Sequence, residues 1–187
     1  MQMVDSKDLL KAFTMCVLML NLTAHPLHPK PRCDMKNLVK LTKVNVEKTL
    51  QSYIAKNNHN RSWIEHFPEL EVPSSTTDDS QLEYKSLQFM VYALNIVLKQ
   101  QEGLNPNKPV LQHLKESIYR INCLLDCVGG KVSTQDSPTS TPQNMMTDSF
   151  AQKRWGRAVL EASHKFLVWL EKLLMLRHTT DSHHLVK

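Results

Sequence analysis

Nine histidines, four cysteines and eighteen acidic residues are the side chains of this chain with chemistry to offer, and their spacing decides what they can do. His25, His28, His59, His66, His113, His164 and His178 fall singly, in polar stretches or between apolar positions, and His183-His184 stand in a polar tail. Metal capture needs ligands converging from fixed spacings such as H-x-x-x-H. Cys123 and Cys127 are separated by three residues, which puts both on one helix face but supplies only two thiols. No H-E-x-x-H, G-x-S-x-G or C-G-x-C-W string occurs. Glu116 and Glu161 read as isolated, solvent-facing carboxylates on helices, since a di-metal bundle needs E-x-x-H pairs on two helices. Only four glycines are present against nine prolines, and none makes a phosphate cradle. The chain reads as a non-enzyme without cofactor or metal.

Binding chemistry is better represented. Phe150 and Lys153 share a face three residues apart, at the opening of a long apolar-periodic segment. An exposed ring beside a cation makes an interface anchor, whereas a ring folded back onto the preceding loop makes a hydrophobic staple. Residue types alone leave both open. The formal net charge of +5 and pI near 9.0 permit anionic partners, but the cations are dispersed and form no tail, so nucleic acid is disfavoured.

Four segments with helical periodicity must carry these residues. The first, 34–57, repeats Met35, Val39, Thr42, Val46, Leu50 and Tyr53. The second, 81–101, repeats Leu87, Met90, Val91, Leu94, Val97 and Leu98, with a capping box at Ser80–Glu83 and Gly103 just past its end. The third, 109–128, repeats Leu111, Leu114, Ile118, Ile121, Leu125 and Val128, between Pro109 and Gly129-Gly130. The fourth, 150–177, repeats Trp155, Val159, Ala162, Phe166, Leu170 and Leu173, and Ser149 with Gln152 reads as its capping box. Residues 178–187 then form a polar tail.

The connections are unequal. About seven residues join the second helix to the third, a reach of ~24 Å, so those two must be antiparallel neighbours. The other two connections, of about 23 and 20 residues, each reach more than ~60 Å and can run the length of a bundle. Long, short, long predicts an all-α four-helix bundle with up-up-down-down topology and two long crossover loops.

The N-terminus sets the compartment. Lys7 and Lys11 precede a short apolar core, Ala12 to Leu20, which is too short to span a bilayer. Small Ala24 follows, then the helix-hostile run His25 to Pro31. This is the pattern of a secretory signal peptide over 1–24, leaving 25–33 as an extension ahead of the 34–177 domain. Secretion leaves Cys33, Cys123 and Cys127, so a bridge from Cys33 to either Cys123 or Cys127 strands one thiol. Asn60-Arg61-Ser62 is an N-glycosylation acceptor.

The head of the fourth helix, Phe150-Ala151-Gln152-Lys153-Arg154-Trp155-Gly156, resembles the interleukin-6 family in the branch of leukaemia inhibitory factor, ciliary neurotrophic factor and oncostatin M, whose fourth helix opens on Phe-x-x-Lys. Ile118-Tyr119, Leu124-Leu125-Asp126 and Gln81-Leu82-Glu83 are similar to segments of the same branch. The resemblance implies a secreted, monomeric cytokine that acts by binding receptor ectodomains, without membrane insertion. Phe150, Lys153 and Trp155 would meet a leukaemia-inhibitory-factor-receptor-like chain. The exposed faces of the first and third helices would meet the shared signal transducer. Pairing the two chains would activate JAK/STAT signalling. It also implies that the Cys33 bridge ties the start of the first helix to the end of the third. The residues by themselves also allow a secreted helical carrier of an apolar ligand.

Overall fold

The computed structural model describes residues 33–57, 66–73, 80–104, 106–129 and 148–184, with side chains described as far as residue 177 in the last segment. The expected signal segment, nearly all of the 25–33 extension and Asn60 lie outside the described residues. The chain divides into two units, Met1–Cys33 and Asp34–Lys187, and the helices belong to the second.

Among the described residues there are four helices: α1 Met35–Asn57, α2 Ser80–Leu104, α3 Lys108–Val128 and α4 Ser149–His184, with a short 3-10 turn at Pro68–Leu70 ahead of α2. Among the described residues there is no strand. The protein is all-α, as its leucine-rich, glycine-poor periodicity predicts.

Helix starts follow local capping. The Asp34 carboxylate accepts from the Asn37 amide at 3.1 Å, and Asn107 Oδ1 accepts from Val110 N at 3.3 Å with Pro109 in the first turn of α3. At α4 the expected Ser149–Gln152 box is replaced by Asp148, one residue earlier. Its Oδ1 accepts from Phe150 N at 3.1 Å and its Oδ2 from Ala151 N at 3.2 Å. The expected box at Ser80–Glu83 is also corrected. Glu83 is buried, and Arg177 Nη2 donates to its Oε1 at 2.6 Å. A cross-helix ion pair has taken the carboxylate that local capping would use.

Two helices run on past their expected ends. Gly103 lies inside the last turn of α2, which closes at Leu104. Helix α4 reaches His184 instead of stopping at 177, because neither glycine nor proline follows Gly156 to end it.

The core draws on every helix: Val39, Val46 and Tyr53 from α1, Leu87, Met90 and Leu94 from α2, Leu114, Ile121 and Leu124 from α3, and Trp155, Val159, Phe166 and Leu170 from α4. The 3-10 turn adds Leu70, and Ser86 Oγ donates to Glu69 O at 2.6 Å to hold that turn on α2.

Helix α1 buries polar residues along with its apolar stripe. Its buried face includes Thr42, Asn45, Thr49 and Asn57. Asn45 and Thr49 find partners across the interface with α3: Ser117 Oγ donates to Asn45 Oδ1 at 2.6 Å and lies 2.9 Å from Thr49 Oγ1, and beside them Ser52 Oγ lies 3.0 Å from His113 Nδ1. Burying such groups costs stability unless they are paired, so these bonds fix the register of α1 against α3. Along α1, partners on α4 fall in descending order, from Lys43–Glu171 at 2.5 Å to Tyr53–Lys153 O at 3.1 Å. Those two helices are antiparallel.

Candidate functional site

The head of α4 is built from the backbone upward. Asp148 satisfies two of the amides that a helix start leaves without partners. Phe150, whose amide donates to that cap, is 51% exposed. The Arg154 guanidinium, one turn on, lies over its ring at 5.4 Å from the centroid. Lys153 is half-buried on the neighbouring face. The site therefore presents one aromatic ring flanked by two cations, a surface suited to an acidic, partly apolar counterpart.

Trp155 departs from its expected place at a receptor surface. It is 4% exposed, and its ring meets Phe67 edge-on at a centroid distance of 6.4 Å. Phe67 in turn lies 5.8 Å from Phe89. The indole belongs to the core stripe of α4, so it seats the helix and leaves surface contact to Phe150 and Lys153.

Beneath the site lies a polar cluster that no short-range pattern in the sequence reveals. Tyr53 of α1 is buried, and its hydroxyl donates to Lys153 O at 3.1 Å. Gln101 of α2 donates through Nε2 to the same hydroxyl at 3.3 Å. Asn57 donates to Gln101 Oε1 at 3.3 Å and to Tyr53 O at 3.0 Å. Burial pushes the Tyr53 phenol far above the ordinary tyrosine range, so it remains a donor throughout neutral and mildly alkaline pH. Gly156 makes the space: a Cβ there would lie 3.0 Å from Tyr53 Cζ and 3.3 Å from Val97 Cγ1, with the phenol oxygen nearer still. The visible signals were a tyrosine on the α1 stripe and a glycine inside an otherwise periodic helix.

Helices α1 and α3 each carry exposed apolar residues. Leu41 and Val44 are 47% and 53% exposed, and Tyr119 is 69% exposed. Glu116 pairs with Arg120 at 2.8 Å. Arg120 and, from α1, Asn45 and Lys48 hold the Glu116 carboxyl below its ordinary range.

The remaining candidates sort plainly. Glu161 pairs with Arg157 at 2.7 Å on its own helix. Cys33 and Cys127 are disulfide-bonded and Cys123 is a free thiol, which settles between the two partners open to Cys33. Among the described residues, no three His, Cys, Asp or Glu side chains are grouped to hold a metal ion. No helix among them is long and apolar enough to cross a membrane. No protein-family model matches the chain, and no curated protein or solved structure matches it.

Proposed function

We propose that this chain is a secreted helical cytokine of the interleukin-6 type, acting by binding and without catalysis. The observation that carries the reading is Phe150: a large apolar ring half exposed at a capped helix start, with Arg154 over it and Lys153 beside it. A half-exposed ring beside cations is the kind of anchor that a receptor pocket takes up. The Phe150–Lys153 surface engages a leukaemia-inhibitory-factor-receptor-like chain. The α1–α3 surface, with Leu41, Val44 and Tyr119, engages the shared signal transducer. Joining the two receptor chains activates JAK/STAT signalling.

The topology proposed with this function is up-up-down-down, with crossovers from α1 to α2 and from α3 to α4. It is supported by the order of cross-helix partners. Lys43–Glu171 and Tyr53–Lys153 descend along α4, and Asn45–Ser117 and Thr49–His113 descend along α3. Glu83–Arg177 and the approach of Val97 to Gly156 run the same way between α2 and α4. Helix α1 is then parallel to α2, and α3 to α4. The signal-peptide pattern over 1–24, the N-glycosylation acceptor Asn60-Arg61-Ser62 and a disulfide all suit an extracellular ligand.

The test is binding of the mature, secreted protein to purified ectodomains of the two receptor types, singly and together. Formation of a ternary complex is expected. Binding to neither ectodomain by a correctly folded protein overturns the function.

A further inference from the structure

Three helices meet at one phenol. Tyr53 comes from α1, its hydroxyl accepts from Gln101 of α2, and it donates to the Lys153 carbonyl of α4. A helical carbonyl already serves the amide four residues on, here Arg157, so this second bond is not needed to satisfy the backbone. Its effect is positional. It ties the first turns of α4 to α1 and α2 at half-buried Lys153, three residues on from Phe150. Glycine at 156 leaves room for this bond: a methyl group there would occupy the space of the phenol and would also lie 3.3 Å from Val97 Cγ1. Asp148 fixes where α4 begins but is itself exposed, and it makes its bonds within its own helix. The Tyr53 hydrogen bond and the packing of Trp155 against Phe67 tie that start to other elements of the protein.

We infer that the Tyr53 hydroxyl, seated in the slot left by Gly156, is the positioning group for the Phe150–Lys153 contact surface. The inference rests on the receptor-binding reading of that surface, and its structural half is measurable without any receptor. The role is distinct from filling the core, because the ring of phenylalanine at 53 would fill the same volume while leaving the Lys153 carbonyl untethered. Gln101 and Asn57 act one step behind. They hold the phenol on the axis that points to Lys153, and a pair of amides in that place accounts for polar residues at the buried end of two helices.

The experiment compares the full secreted chain with Tyr53→Phe, Gly156→Ala and the double variant. Site-resolved amide hydrogen exchange over 150–157 is read alongside ectodomain binding. In Tyr53→Phe, loss of one buried hydrogen bond is expected to speed exchange at the head of α4 about tenfold, with the rest of α4 unchanged. Affinity for the leukaemia-inhibitory-factor-type ectodomain is expected to fall about tenfold, with binding to the shared chain unaltered. Gly156→Ala should reproduce both effects. It should add less in the Tyr53→Phe background than in the parent, because the phenol oxygen it displaces is already gone. If Tyr53→Phe does not fold, Gly156→Ala approaches the same bond from the other helix and decides alone. Unchanged exchange at 150–157 in a folded Tyr53→Phe protein overturns the positioning role. Faster exchange at the head of α4, with a parent protein that binds neither ectodomain, sustains the positioning role and overturns the function assigned to the surface.

Discussion

Tyr53 and Gly156, 103 positions apart in the chain, share one site: the phenol of the first occupies the space where any side chain of the second would stand. The relationship gives the tyrosine a pH signature. Its phenol is buried and its affinity for the proton is raised by that burial. In the unfolded chain the same group titrates near its ordinary value of about 10. A folded pKa above the unfolded one contributes stability that is fully present below pH 10 and is lost as the pH rises beyond it.

The first prediction is therefore an alkaline limb. Between pH 10 and 11 Tyr53 alone should lower stability by up to about 1.4 kcal/mol per pH unit. Tyr53→Phe should be less stable than the parent at pH 7 and should lose less stability above pH 10. Denaturant midpoints from pH 8 to pH 11 check this, with lysine titration common to both proteins. Parallel alkaline limbs in the two proteins would refute it.

Ser163 supports a prediction of the opposite sign. It is fully buried in α4, and its hydroxyl has no hydrogen-bond partner among the described residues. An unpaired buried hydroxyl is a net cost, and alanine is the better helix former. Ser163→Ala should stabilise by about 1 kcal/mol, raising Tm by roughly 2–4 °C for a chain of this size. A lower Tm in the variant would show that the hydroxyl has a use.

Glu83 and Arg177 close the opposite end of the α2–α4 interface. The Glu83 side chain is almost wholly buried, while Arg177 retains some access to water. Arg177→Met strands a buried carboxylate and should cost about 3 kcal/mol, the lower end for breaking such a pair. Glu83→Met with Arg177→Met removes both charges and should recover most of the loss. Chemical denaturation of the three proteins measures the difference. A double variant no more stable than the single one would refute the assignment.

This pair also explains which parts of the molecule were legible in the sequence. The four helices, their core stripes and the start of α3 were readable, because apolar spacing, Pro109 and the proximity of α2 to α3 are local signals. The Ser80–Glu83 box was misread, because its glutamate is claimed by an arginine 94 residues away, which no short-range pattern reports. Helix α4 continues past 177 into a stretch whose polar composition reads as a tail, because no glycine or proline enforces a stop there. At the candidate site, Phe150 and Lys153 stood out as a spaced pair. Trp155 belonged to the motif and to the core stripe together, and its burial shows the stripe prevailed. The Tyr53–Gly156 fit depends on the register of two helices, so it was invisible until both were in place.

The last prediction separates surface from scaffold at the head of α4. Asp148 caps the helix through backbone amides, so the helix start does not depend on the Phe150 ring. The ring is half exposed, and the core begins at Trp155. Lys153 contributes its carbonyl to Tyr53, a bond that any side chain at 153 preserves. Phe150→Ala with Lys153→Ala should therefore leave Tm within a few degrees of the parent. An aromatic anchor that fills a pocket is worth 2 kcal/mol or more on truncation, at least about a 30-fold loss of affinity. The double variant should lose most binding to the leukaemia-inhibitory-factor-type ectodomain and keep its contact with the shared chain through α1 and α3. A ligand that holds one receptor and cannot recruit the second occupies without signalling, so the variant should antagonise the parent in a STAT-phosphorylation assay. A staple role for the ring predicts the reverse, with Tm falling and binding altered only through unfolding. Thermal melts and two-receptor binding on the one variant distinguish these, and parental affinity in a well-folded variant would remove Phe150 and Lys153 from the interface.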